Sequence, residues 1–291
     1  MLAHARKERI IRLALAGAAG SSLFFLVLIL LFLFIEGAPV FASLAPTQFF
    51  FGMDWYPTAQ PPAFGIFAML AGSLAVTAVA AALAVPLGVM SAVWLAEIAP
   101  PLVRRVCKPL VELLAALPSV VVGLFGLLVA APFLQDVFDA DTGLNLLNAG
   151  MMLAFMSVPT ICSVAEDALR AVPSTLREAS LALGATRWET MARVTVPAAF
   201  PGIGTACMLG LSRSIGETMV VLMVAGGAGI IPLSLFDPVR PMPAVIAAEM
   251  AEAPFRGEHY HALFAIGLVL FLFTLLFNAL AWRLTARAVK V

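Results

Sequence analysis

Residues 173–197, PSTLREASLALGATRWETMARVTVP, form the one long polar interruption between long apolar runs, and their reading decides the fold. Pro173 and Ser174 open a short helix, with Ser174 placed as N-cap. Leu176, Ala179 and Leu183 recur at i, i+3 and i+7 and make a narrow apolar stripe, with Arg177, Glu178 and Ser180 off it. Gly184 suits a helix-ending turn that wants positive φ. Thr186 and Glu189 then match a T-x-x-E capping box opening a second helix, and Pro197 leads into the next apolar run. Each helix is about ten residues, too short to stand alone in water. Two readings stay open from the residues themselves: a connector lying on the surface, or a helix pair that docks onto a partner.

The same residues resemble the EAA motif of ABC importer permeases. Glu178-Ala179-Ser180, three residues, Gly184, nine residues, then Val194-Thr195-Val196-Pro197 follow the family pattern E-A-A, x3, G, x9, I-x-L-P. Ser180, Val194 and Val196 depart from it conservatively. The resemblance implies that this loop is the coupling helix seated in a cleft of a separate ATPase subunit, with Glu178, Ala179, Ser180, Gly184 and Pro197 as coupling residues.

The chain has 291 residues, 62% hydrophobic and 12% charged, a composition of polytopic membrane proteins rather than soluble domains. Seventeen basic residues balance seventeen acidic ones, so nothing points to nucleic acid. Cys107, Cys162 and Cys207 lie far apart without disulfide or metal-ligand spacing and read as small apolar side chains; His4, His259 and His261 form no cluster with them.

Six apolar runs are long enough to span a bilayer: 14–35, 66–96, 109–133, 145–165, 198–225 and 261–282. The first follows Arg6, Lys7, Arg9 and Arg12 and is longer than a signal-peptide core, so it reads as a retained anchor. Its Gly17 and Ser21 have small-xxx-small spacing. Run lengths suit helices rather than barrel strands. The expected class is therefore an all-α integral membrane protein with six transmembrane helices. Lys and Arg set its orientation. The N-terminus, the 97–108 link, the organising loop region and the C-terminus hold fourteen, against two, Arg240 and Arg256, in the opposite links. That excess puts both termini and the 173–197 loop in the cytoplasm.

Pro86, Pro118 and Pro159 fall inside consecutive spans, as kinks that either line a cavity or serve packing alone. The fifth run holds GLSRSIGETMVV, which places Arg213 and Glu217 four apart on one helix face, near mid-membrane. Ser212, Ser214 and Thr218 add hydroxyls. Ionisable groups at that depth are costly and face a pathway or a partner. The pair either neutralises itself or offers a guanidinium fork to an oxyanion. Glu112, near the inner end of the third run, reads as an interfacial side chain. The outer stretch from Phe49 to Pro57 reads as an interfacial aromatic anchor, and 244–253 as a short apolar helix against the outer mouth.

Further segments are similar to the phosphate ABC importer permeases of the PstC type: LAEIAPPLVRR (95–105), VELLAALPSVVVGLFGL (111–127), SRSIGETMVV (212–221), and SLFDP with VIAAEMAEA (234–253). The resemblance implies the type I importer permease fold and places the family's transport-linked Arg and Glu on Arg213 and Glu217. It divides the chain into an anchor span and outer loop (1–65), a permease core (66–283) and a cytoplasmic tail (284–291). It also implies a PstA-like second permease subunit, two copies of a cytoplasmic ATPase and an external phosphate-binding protein, all at a bacterial cytoplasmic membrane in contact with lipid. No G-x-x-x-x-G-K-[ST] occurs, so no cofactor is expected in this chain; ATP and Mg belong to the ATPase. Two alternatives remain: a permease for another oxyanion such as sulfate or molybdate, and an ATP-independent secondary transporter.

Overall fold

The computed structural model describes residues 2–288; at 2–7, 9–10, 281–282 and 284–288 it gives the helix only. Residues 289–291 of the expected tail, with Lys290, lie outside the described residues. Six stretches are long and apolar enough to cross a membrane: Ile11–Ser43, Phe67–Ile98, Ser119–Phe138, Leu146–Arg170, Arg187–Ile215 and Glu258–Leu280.

The bundle is built around α8 (Leu146–Arg170), which packs along α4 (Phe67–Val93) on one side and α11 (Val196–Ile215) on the other. Asn145 starts α8 by accepting the Asn148 N–H at 3.0 Å. The three helices approach closely because glycines face Ile161 of α8, which is fully buried. A Cβ on Gly88 of α4 or Gly210 of α11 would stand 2.7 Å or 2.5 Å from its side chain, so a larger residue at either place wedges the bundle apart. By contrast α1 (Leu2–Gly37) lies outside, and its apolar window has none of its residues buried. It touches α14 (Glu258–Ala288), where Phe32 meets Phe264 edge to face and Gly37 presses against Ala265 backbone. A Cβ added at Gly17 or Gly20 would meet nothing within 4 Å, so among the described residues the small-residue spacing near the N-terminus makes no close packing face.

Two spans differ from the continuous helices expected. The third is divided. The chain passes α2 (Val40–Ser43), α3 (Pro46–Phe51), a hairpin of β1 (Trp55–Tyr56) and β2 (Ala63–Phe64), and α4, then forms a separate helix, α5 (Pro101–Ala115). The membrane-length stretch begins afterwards with α6 (Ser119–Phe125), a widened π turn (Gly126–Ala130) and α7 (Ala131–Phe138). Pro118 is therefore a break, not a kink: it has no N–H to donate and pushes its predecessor out of helical geometry. Glu112 consequently sits on α5, outside the spanning part. The fifth span breaks too. After α9 (Ser174–Ala182) and α10 (Arg187–Thr190), α11 stops at Ile215, and α12 (Met219–Val224) resumes after Gly216.

The outer aromatic stretch is only partly a surface anchor. Phe49 is fully buried and Trp55 is 5% exposed, in a core with Phe64, Ile66, Met242 and Leu263. Trp55 is buried because its indole N–H has a partner, donating to Glu249 Oε2 at 2.8 Å. Glu249 ends α13 (Met242–Glu249), which is shorter than expected, and also takes Arg240 and His259. Phe51 and Tyr56 keep the exposure expected of an aromatic surface.

Candidate functional site

The 173–197 loop folds as two short helices with a tight turn between them. Pro173, not Ser174, holds the cap position of α9, and no side chain caps it. The fixed φ of proline pre-sets the helix entry without a hydroxyl. The capping box on α10 is complete: Thr186 Oγ1 accepts from Glu189 N at 3.2 Å, and Thr186 N donates to Glu189 Oε2 at 2.8 Å. Gly184 takes φ +88°, as the turn requires. Ser180 and Thr190 hydroxyls meet at 2.9 Å and tie the helices together. A widened turn, Met191–Thr195, ends two residues before Pro197, whose ring would otherwise meet the carbonyl one turn back.

The pair leaves its apolar stripe uncovered. α9 buries no residue; Leu176 is 45% exposed and Leu183 90%, while Trp188 on α10 is 68% exposed. Glu178 and Ala179 are exposed as well. What fastens the loop to the bundle is Arg177, which sequence reading left as an off-stripe charge. Its Nη2 donates to Glu97 Oε1 at 2.7 Å and to the Leu169 carbonyl at 2.9 Å. Glu97 lies in the widened turn Trp94–Ile98 that ends α4, and Leu169 near the end of α8. A groove of about 510 Å³ between Glu97, Arg177, Leu181 and Trp188 opens beside this joint. The loop is thus a stiff, exposed, partly apolar knob joined by one arginine to two spans.

The second constellation is at the break in the fifth span. Counted from Val196 at 1.5 Å per residue, Arg213 stands about 26 Å along α11. Arg213 and Glu217 do not share a helix face, because α11 ends between them, and no ion pair joins them. Arg213 is exposed and its Nη1 donates to the Ala115 carbonyl, the last of α5, at 3.2 Å. Glu217 instead turns onto its own chain and accepts the Met219 N–H at 3.2 Å through Oε1. It lines a small void with Ser73, Thr77 and Ser214.

The end of α11 is held from two sides. Ser214 Oγ and Ser157 Oγ of α8 are 2.6 Å apart, both nearly inaccessible, and Ser157 Oγ also donates to the Gly210 carbonyl. Ser212 Oγ donates to Asn278 Oδ1 of α14. Ser157, Asn278 and Ala115 were not singled out in the sequence; the available signal was a polar residue inside an apolar run at 157 and 278. Arg213 is thereby carried on a fixed backbone with the rest of its guanidinium fork free of protein partners among the described residues. Such a fork can donate paired, charge-assisted hydrogen bonds to a tetrahedral oxyanion. The break falls at the end of the membrane-length stretch Arg187–Ile215, so Arg213 stands near the far end of that stretch rather than at its middle. A broken helix there fits a cavity lining, where water or ligand satisfies the freed backbone. No group of three or more metal-ligating side chains occurs among the described residues.

Comparison with known proteins bears on the family and the fold. Residues 84–290 match the family described as binding-protein-dependent transport system inner membrane component. The probable ABC transporter permease protein YqgH of Bacillus subtilis is 39% identical over 263 residues, 90% of this chain and 85% of that protein. The phosphate transport system permease protein PstC of Mesorhizobium japonicum is 40% identical over 248 residues, 78% of this chain and 75% of that protein. Among solved structures, a bacterial alginate ABC transporter complex aligns over 96% of both chains at TM-score 0.60 and 17% identity. The MetNI methionine ABC transporter aligns over 77% of this chain and 97% of its own at TM-score 0.59 and 19% identity. At that identity the two structures show the fold alone, that of type I importer permeases. With the family matched over most of its length and close relatives over three quarters of theirs, this six-span chain belongs to the binding-protein-dependent inner-membrane permeases of ABC importers.

Proposed function

We propose that the chain is the permease subunit that carries inorganic phosphate into the cell in an ATP-driven importer. The observation that carries the reading is Arg213, held on the broken end of α11 with an open fork and no carboxylate partner. The PstC relative supports phosphate as the anion. Arg213 would take oxyanion oxygens as they pass, and Glu217, a turn of chain away, would set the charge the passing anion meets. In this reading the subunit performs no chemistry itself and needs no cofactor. A pair of cytoplasmic ATPase subunits binds ATP and Mg, a PstA-like second permease completes the pathway, and an external phosphate-binding protein delivers the anion. Glu178, Ala179, Ser180, Gly184 and Pro197 shape the knob that follows the ATPase. Uptake of labelled phosphate by the assembled importer tests the assignment. Excess sulfate or molybdate should leave it unchanged; competition by either would assign the pathway to another oxyanion, and uptake without the ATPase would make it a secondary transporter.

The importer also requires the knob to face the ATPase, with both termini on that side. A reporter active only outside the cytoplasm should be silent when fused after Val291 and active when fused near Gln60, in the exposed loop between β1 and β2. The reverse pattern would overturn the orientation.

A further inference from the structure

Neither the knob nor Arg213 uses the groove between α5 and the end of α8. It measures about 440 Å³ and is lined by Arg104, Arg105, Lys108, Glu112 and Arg170. Behind it Glu166 is 1% exposed, with Lys108 Nζ at 2.6 Å and Arg104 Nε and Arg170 Nη1 each at 3.8 Å. Lys108 also reaches Asp167. Partial burial works against the Lys108 charge, but hydrogen bonds to Asp167 and Glu166 outweigh it and raise the pKa above the ordinary lysine value. One Glu166 oxygen, Oε1, makes no hydrogen bond. The buried carboxylate therefore draws three cations to one wall; of these Arg104 also donates to the Leu95 and Ala96 carbonyls.

Two of the groove's cations remain open. Arg105 is exposed and joins none of these ion pairs. Arg170 is 54% exposed and approaches Glu166 only beyond hydrogen-bonding distance. Guanidinium forks placed this way fit the oxygens of a phosphoryl group, free or esterified.

The neighbouring face of α5 selects between those sources. Leu102, Val106, Leu110 and Leu113 are 70%, 56%, 54% and 66% exposed and recur at i, i+4, i+8 and i+11. They form one apolar stripe beside the basic one. A helix so divided suits the boundary between headgroups and acyl chains, and basic pockets on the inner side of membrane proteins take anionic headgroups. We propose that this groove binds the phosphodiester headgroup of an anionic phospholipid, its acyl chains lying along Leu102, Val106, Leu110 and Leu113. The site has a mechanical consequence. α5 ends at Ala115, whose carbonyl holds Arg213, so a lipid seated at Arg105 braces the helix that positions the pathway arginine.

The test uses the assembled importer in phosphatidylcholine nanodiscs containing a minor fraction of phosphatidylglycerol. Lipid retained on release is measured by native mass spectrometry. The wild-type complex should retain phosphatidylglycerol, and R105Q/R170Q should retain about tenfold less, the expected loss for charged hydrogen bonds. R105K/R170K should keep an intermediate share. R12Q removes a basic residue of the N-terminal charge cluster, and it should retain the lipid as wild type does. Equal retention in R105Q/R170Q, equal loss in R12Q, or displacement by inorganic phosphate would each overturn the proposal; the last would make the groove a site for the free anion. Because retention is read without transport, its failure is distinct from failure of the phosphate assignment.

Discussion

Arg213→Gln should reduce phosphate uptake to background while the subunit still assembles with its partners. The structure separates two explanations for charge at this depth. A self-neutralising pair requires Arg213 and Glu217 in contact, so that each single removal strands a buried charge and the double removal is milder. The two side chains instead hold different groups, the Ala115 carbonyl and the Met219 N–H. Losing Arg213 strands no carboxylate against it, so Arg213→Gln/Glu217→Gln should be no better than Arg213→Gln alone. Arg213→Lys keeps the charge but loses the planar fork, and uptake should fall by about tenfold, the scale of a charged hydrogen bond. Uptake in the four proteins, normalised to complex in the membrane, decides the matter. Recovery of transport in the double variant would remove both residues from the pathway.

The sequence revealed what depends on neighbours along the chain. Spans were legible because a bilayer demands long apolar runs, and the Thr186–Glu189 box because its partners are three residues apart. Gly184 was legible for the same local reason. Features that depend on distant partners were not. Arg177 read only as a charge off the apolar stripe because Glu97, which holds it, lies 80 residues earlier. Phe49 and Trp55 looked like a membrane belt because half of the core that buries them comes from α13 and α14, near the far end of the chain. The break at Gly216 was hidden inside an apolar run whose composition allows a continuous helix. There Ser157 and Asn278 decide where α11 is held, and neither is close in sequence. Pro118 was recognised as a disturbance, but whether a proline bends or ends a helix depends on what packs beyond it.

Gly184→Leu should uncouple ATP hydrolysis from uptake while leaving the subunit in the membrane. Crowding is not the cause, because a Cβ at Gly184 would meet nothing within 4 Å. The backbone is: φ is +88°, and an L-residue with a Cβ pays about 1–2 kcal/mol there. That cost falls on the turn in which Gly184 N–H bonds the Leu181 carbonyl and Ala185 N–H the Ser180 carbonyl. Relaxing the turn tilts α10 against α9 and changes the spacing of Leu183 and Trp188, the exposed apolar side chains that a partner would grip. A penalty of that size shifts a conformational balance about five- to thirtyfold, so uptake per ATP hydrolysed should fall at least about fivefold. Gly184→Asn supplies the control. Asparagine tolerates the left-handed region far better than leucine, so uptake should be largely kept although a side chain has been added at the same place. If asparagine were as damaging as leucine, the knob would be failing through surface crowding by its partner. Normal uptake per ATP in Gly184→Leu would show that the turn does not carry the motion.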